Sequence, residues 1–314
     1  MAKTDLTKKL LTRFGRLKGQ RQNWETHWQE VADYMMPRKS DVTKKRTRGD
    51  KRMELIFDSS PLQALELLAA SLHGMLTNPS TPWFTLRFKQ ENIDNEDEAK
   101  LWLQSATDAM YTAFNRSNFQ QEIFELYHDL ITFGTAAMFI EEDEEDFIKF
   151  STRHIDEVYI AENDKGRIDT IYRRFNLSAR AVVQKFGTAV SQDILVLEKK
   201  DPYKEVEIVH AVYPRADFNP TKKDKKNMPF ESVYMEYKNG NELSVSGFKE
   251  FPFVVPRYLK ASHEIYGRSP AMTALPDVKM LNEMVKTTIK AAQKQVDPPL
   301  LVPDDGFLLP VRTV

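Results

Sequence analysis

Residues able to do chemistry occur at several points in this 314-residue chain, and each has to meet the spacing its chemistry demands. Gly267-Arg268-Ser269-Pro270-Ala271 imitates a G-x-S-x-G nucleophile elbow. That motif builds its oxyanion hole from the backbone N–H of the residue after the serine, and Pro270 has no N–H. No strand leads cleanly into it either, so the serine reads as a helix cap. Glu141 to Asp146 are six acids in succession, a conceivable cation site. Calcium loops, however, alternate ligands with spacers and turn on a glycine, and neither feature is present. The run reads as the solvated tip of a hairpin. His27, His73, His128, His154, His210 and His263 are widely spaced, with no H-x-x-x-H pair to start a zinc shell. Neither G-x-x-x-x-G-K-[ST] nor G-x-G-x-x-G occurs, which removes the usual phosphate cradles of a motor ATPase.

Two sets of cations are better candidates for contact than for catalysis. Lys279, Lys286, Lys290 and Lys294 fall on one face of a long helical pattern, where like charges four residues apart repel. Glu283 can relieve only Lys286, its i+3 neighbour. The face answers to an acidic surface of an adjacent chain, to nucleic-acid phosphate, or to solvent alone. The second set is Arg38, Lys39, Lys44, Lys45, Arg46, Arg48, Lys51 and Arg52, in a stretch without apolar periodicity that reads as a flexible loop. Such a run can neutralise DNA phosphates. Because no aromatics are interleaved for stacking, the competing reading is a solvated loop, or one that orders only in an assembly.

The elements that must carry these residues follow from periodicity. Ser269 and Pro270 open a helix, Pro276 is expected to break or kink it, and from Asp277 it runs uninterrupted to the stop at Asp297-Pro298-Pro299. That second piece is about 30 Å long at 1.5 Å per residue. Val278, Leu281, Val285, Ile289, Ala292 and Val296 form an apolar stripe expected to face a core. Met280, Met284, Thr287, Thr288 and Ala291 form a second packable face, which suggests neighbours on two sides.

Upstream, a helix is expected over 5–36, ended by Pro37, with Leu6, Leu10, Phe14, Leu17, Trp24, Trp28, Val31 and Tyr34 on a drifting apolar face. Further helices are expected from Leu62 to Leu76, over 95–116 and over 119–133, where Phe119, Ile123, Tyr127, Leu130 and Ile131 point inward. Strand alternation is seen from Trp83 to Lys89, and a hairpin joins Ala136–Ile140 to Phe147–Ser151. A second hairpin pairs 156–161 with 167–175. Two short helices follow, one capped by Ser178 and one over 189–198. Strands are expected near 205–213, 231–238, 242–248 and 252–258, with Asn239-Gly240 as a hairpin turn. The loop Arg215 to Met228, holding Lys222, Lys223, Lys225 and Lys226, is expected to move.

Tyr266-Gly267-Arg268-Ser269-Pro270-Ala271, the Leu281-Asn282 pair and the Asp297-Pro298-Pro299-Leu300 stop occur in that order, preceded by Phe251-Pro252 and Pro256-Arg257-Tyr258. Together they resemble the head-to-tail connector, or portal, proteins of short-tailed bacteriophages. The resemblance implies an α+β fold in which a helical and β-hairpin wing precedes a long stem helix. Residues 1–150 would be the mainly helical part of the wing, 151–265 its β-rich part, 266–297 the stem helix and 298–314 the start of a clip-like region. Family members typically continue well past Val314, so the C-terminal part of the family fold is expected to be missing from this chain. The resemblance further implies a homo-oligomeric ring, usually of twelve subunits, at the head–tail vertex of a virion assembled in the host cytoplasm. Double-stranded DNA passes through such a ring, and the partners are a packaging motor (terminase), a tail adaptor, scaffold and capsid proteins. It implies no catalytic residue and no cofactor.

Composition agrees with these expectations without demanding them. The chain is long enough for two domains and its 41% hydrophobic content is ordinary for a folded protein. A net charge of −1 makes no global field for nucleic acid, so any DNA contact rests on local patches. Without cysteine there are no disulfides and no thiolate metal sites. Met1 to Lys9 carries no apolar signal core, and no window is apolar enough for a membrane span. Two other functions remain in competition: a metal-dependent DNA-processing enzyme drawing on the acidic tip and the basic loop, and a soluble helical adaptor.

Overall fold

The computed structural model describes residues 5–47, 49–89, 96–145, 147–221, 224 and 227–299. Among them are seven α-helices and two antiparallel sheets, a mixed α+β arrangement. The helices are α1 (Asp5–Met35), α2 (Ser60–Leu76), α3 (Asp97–Arg116), α4 (Phe119–Phe133), α5 (Ala179–Phe186), α6 (Gln192–Lys200) and α7 (Pro270–Val296). The strands are β1 (Ala137–Asp143), β2 (Phe147–Arg153), β3 (Val158–Glu162), β4 (Ile168–Ser178), β5 (Glu205–Pro214), β6 (Phe230–Glu236), β7 (Glu242–Phe248) and β8 (Phe253–Val254).

Strands β3 to β7 form a five-stranded antiparallel meander in chain order, and β8 joins the β1–β2 hairpin in a sheet of order β2-β1-β8. The meander follows from its local turns: Gly240 takes φ 63° where Asn239-Gly240 reverses the chain, a value that costs glycine nothing. Because side chains alternate along a strand, the meander presents two faces, and both are covered. Val209 and Ala211 of β5 lie under Leu10 and Phe14 of α1. Ile208, on the opposite face, packs with Ala179, Val182 and Ile194 of α5 and α6. Val212, further along that face, joins the largest core with Trp28 and Val31 of α1, Leu65 of α2, Ile131 and Phe133 of α4, and Tyr266, Met272 and Leu275 around the start of α7. The drift of the apolar face of α1 has this cause: its first half lies on a sheet and its second half among helices.

Four expectations need correction. The Trp83–Lys89 stretch alternates as a strand does, yet it pairs with no strand. Its amides are satisfied by α3 instead: Trp83 N and Phe84 N donate to Tyr111 Oη at 2.6 and 2.7 Å, and Leu86 N to Thr107 Oγ1 at 3.4 Å. Trp83 then lies against Phe114 and Phe119, which also stack on each other. Over 252–258 only Phe253 and Val254 pair with β1, since Pro252 and Pro256 have no N–H to give a ladder. The acidic tip is shorter than six residues, because Glu141, Glu142 and Asp143 belong to β1. Finally, Pro276 lies inside an unbroken α7. It removes the hydrogen bond to the Met272 carbonyl, but burial of Ala271, Met272 and Leu275 holds the first turns against that cost.

Candidate interaction surface

The base of α7 is fixed by backbone contacts that only particular residues allow. Ser269 is fully buried, its Oγ donating to the Thr132 carbonyl at 2.8 Å and accepting from Met272 N at 3.0 Å as the N-cap. Both hydrogen-bonding functions of the hydroxyl are thereby used in holding the helix, and no histidine is among its partners. Gly267 N donates to Thr135 Oγ1 at 2.8 Å. At this crossing Gly134, with φ 74°, and Gly267 pass so closely that a Cβ on either would collide with the other's carbonyl. Tyr258 N donates to Gly134 O, and Leu259 and Arg268 exchange both backbone bonds. The buried Tyr266 ring packs on Trp28 and Trp24, and its hydroxyl accepts from Ile160 N at 3.3 Å. Burial pushes its pKa up to about 12. Arg268 pairs with Glu264 and lies over the Trp24 ring.

About three and a half turns above the Ser269 cap, Asn282 makes the last strong contact between α7 and the rest of the chain. Its Oδ1 accepts from Phe57 N at 2.7 Å and Asp58 N at 3.2 Å, and its Nδ2 donates to Leu55 O at 2.8 Å. Beyond Asn282 every described residue of the helix is exposed except the half-buried Val285 and Lys286. Of the stripe expected to meet a core, Val278 packs against the main core, but further along it meets none among the described residues: Leu281 is 41% exposed, Ile289 42% and Val296 87%. On the second face Met280 and Met284 are each 60% exposed. The cause is geometric, since α7 leaves the body along its own axis and no other described element rises beside its second half.

The lysine face is not uniform. Lys279 pairs with Glu30 of α1, which raises its pKa through that hydrogen bond. Lys286 pairs with Glu283 at 2.8 Å and sits over the Phe57 ring. Lys290 and Lys294 have no carboxylate partner among the described residues.

The basic segment is tied down by acids of its own chain, contrary to the flexible loop expected. Lys39 Nζ lies 2.5 Å from Asp129 and 2.6 Å from Glu125, and Arg38 lies 3.1 Å from Glu125. Lys44 and Arg46 reach Asp33, and Arg52 reaches Asp41. The buried Gln29 completes the clasp, donating to Ser40 O and Asp33 Oδ1 and accepting from Thr43 N and Lys44 N. Lys45 and Lys51 stay exposed; Arg48 lies outside the described residues, as do Lys222, Lys223, Lys225 and Lys226 of the second basic loop and everything from Leu300 on. His154 braces the segment from below, Nε2 toward Lys39 O and Nδ1 toward Asp156 Oδ1 at 2.7 Å. Burial alone would lower its pKa, but the Asp156 hydrogen bond and the charges of Asp156 and Asp129 outweigh this and raise it. Complete burial raises that of Asp129 even against the Lys39 charge.

Asn282, Gln29 and Gly134 were not visible as key residues from spacing alone. The nearest signals were the Leu281-Asn282 pair among the residues that carry the family resemblance and, for Gly134, its place between an expected helix and an expected hairpin. Among the described residues no group of three or more His, Asp or Glu converges as a metal site, and no helix is long and apolar enough to cross a membrane.

The comparisons with known proteins agree with one another. Residues 7–313 match the family model described as bacteriophage head to tail connecting protein. The probable portal protein of Bordetella phage BPP-1 is 34% identical over 319 residues, covering 100% of this chain and 58% of that protein. The portal protein of Salmonella phage epsilon15 is 33% identical over 309 residues, covering 96% of this chain and 55% of that protein. The chain thus spans a little over half the length of these relatives.

Proposed function

Because the chain belongs to the bacteriophage head-to-tail connecting protein family, we propose that it is a portal subunit, one of usually twelve in a closed ring at the head–tail vertex of the virion. Double-stranded DNA enters and leaves through that ring. Residues 1–265 serve as its wing, mainly helical over 1–150 and β-rich over 151–265; 266–297 are the stem helix and 298–314 begin the clip-like region. The role is structural and needs neither a catalytic site nor a cofactor. The force that moves DNA comes from a separate packaging motor, the terminase. A tail adaptor, scaffold and capsid proteins complete the vertex, and assembly takes place in the host cytoplasm.

The observation that carries this reading is the second half of α7. A 27-residue helix anchored by a buried cap and by Asn282 projects with Met280, Met284, Ile289 and Val296 uncovered. Apolar stripes of this kind are retained where a neighbour covers them. In a ring, successive copies of the same helix stand side by side and each covers part of the next.

Light scattering of the full-length protein tests this directly. The expected mass is about twelve subunits, with annular particles in electron micrographs. A protein that stays monomeric or dimeric at micromolar concentration, across salt conditions, would overturn the ring.

A further inference from the structure

The hairpin β1–β2 ends in an aromatic side chain that nothing in its own chain requires to be there. Phe147 is 64% exposed and has φ 66°, a left-handed conformation costly for a bulky side chain and usually given to Gly or Asn. Glu144 and Glu145 precede it at the turn, and Glu142 is exposed on the strand beside it. The result is an apolar knob collared by negative charge. Among the described residues its ring meets the Arg116 guanidinium, at 5.7 Å.

A socket of matching character lies elsewhere on the same chain. Between α1 and strands β3 to β5 is a cavity of about 420 Å³, floored by Leu17, Tyr172, Tyr213 and Pro214 and rimmed by Arg13 and Arg16. Both arginines are exposed, and neither has a carboxylate partner among the described residues. Arg13 instead leans over the Tyr213 ring at 6.0 Å. Burial pushes the pKa of the Tyr172 hydroxyl, on a residue only 1% exposed, up to about 12, against the charge and hydrogen bond of the nearby Arg13 guanidinium. Asp169 on the same wall is the one acid in the lining, leaving the two arginines in excess.

We propose that this socket receives the Phe147-tipped acidic hairpin of a second copy of the chain. Charge and apolar character are complementary on both counts: the ring enters among tyrosines while Glu144 and Glu145 meet Arg13 and Arg16. Knob and socket lie on different surfaces of one subunit, so the contact is heterologous and propagates from copy to copy, as a ring requires. The inference rests on the ring reading above and assigns one of its interfaces.

These 314 residues contain no cysteine, so the test needs only that any cysteine elsewhere in the full-length protein first be replaced by serine. In the full-length protein, Gln20→Cys at the socket and Glu145→Cys at the tip leave both Phe147 and the tyrosine floor intact. Mixed under mild oxidation, the two single variants should yield a disulfide-linked dimer that neither forms alone, and the double variant a ladder of covalent multimers. Arg13→Glu with Arg16→Glu should raise the concentration for half-assembly roughly tenfold, and Glu144→Arg with Glu145→Arg in the same chain should restore it. Rings that form normally with no such cross-link, and with both arginines reversed, would overturn this contact while leaving the ring intact. Failure of the parent protein to oligomerise at all would bring down the ring and this contact together.

Discussion

Single side chains decide how firmly the projecting helix is held. Asn282 satisfies two amides and one carbonyl of the 55–58 segment at once, so Asn282→Ala leaves three groups without their partner. The expected loss is about 1–3 kcal/mol, with faster hydrogen exchange at Phe57 and Asp58. Unchanged exchange at those amides would show that the clasp is dispensable. The His154 site makes a prediction with a definite sign. Its folded pKa is raised above the ordinary histidine value of 6.5, so the protonated form is favoured in the folded state. That contribution is fully present below the unfolded pKa and is lost as pH rises from 6.5 through the folded pKa. Melting temperature measured across this window should therefore fall in the parent protein relative to His154→Gln, whose curve lacks this component. Glu125 works in the opposite direction: burial raises its pKa, but the Lys39 hydrogen bond and charge outweigh this and lower it, so its contribution disappears only in acid. Parallel pH curves for the two proteins would show that His154 is not coupled to folding.

Helices and strands show what the sequence made legible. Caps, periods and turns are local, and α1, α4, β5 and β7 fall within a residue or so of their expected places because Pro37, Gly134 and Asn239-Gly240 act on their immediate neighbours. What depended on a distant partner was not legible. Phe57 and Asn282 are 225 positions apart, and the 38–52 segment reads as loose only while the carboxylates of Asp33, Glu125 and Asp129 are out of view. The same blindness turned a segment lying on α3 into an expected strand. For α7 the period was right, but past Val278 its stripe meets no core among the described residues. A consequence follows for its uncovered stripe: Met284→Ser with Ile289→Ser should change the stability of an isolated subunit by no more than about 0.5 kcal/mol, as surface substitutions do. In the assembly the same pair removes about 1.5–3 kcal/mol of burial at each side chain that a neighbour fully covers. Denaturant unfolding and light scattering together check this, and a large loss of subunit stability with normal assembly would reverse the assignment.

At the scale of the whole molecule, a net charge of −1 leaves local patches to do the electrostatic work, and the structure narrows which patches are free. Much of the basic segment is neutralised by its own chain, and Lys279 and Lys286 have carboxylates of their own. Lys290 and Lys294 remain, one turn apart near the end of a projecting helix, repelling each other until something negative comes near. In a ring that repulsion recurs in every subunit, so even about 0.5–1 kcal/mol per contact at screened range becomes a large total. Lys286→Gln, Lys290→Gln and Lys294→Gln combined in the full-length protein distinguish the possible partners. If the partner is a carboxylate of the neighbouring subunit, assembly weakens and loses part of its salt dependence. If it is phosphate, rings form with unchanged salt dependence while packaged DNA is retained less well, because each lost phosphate contact reduces the counterion release that accompanies binding. We expect the second outcome, since the two lysines that have carboxylate partners lie nearer the body and the two that lack them lie toward the far end of the helix. Assembly and DNA retention that both match the parent protein would assign the stripe to solvent.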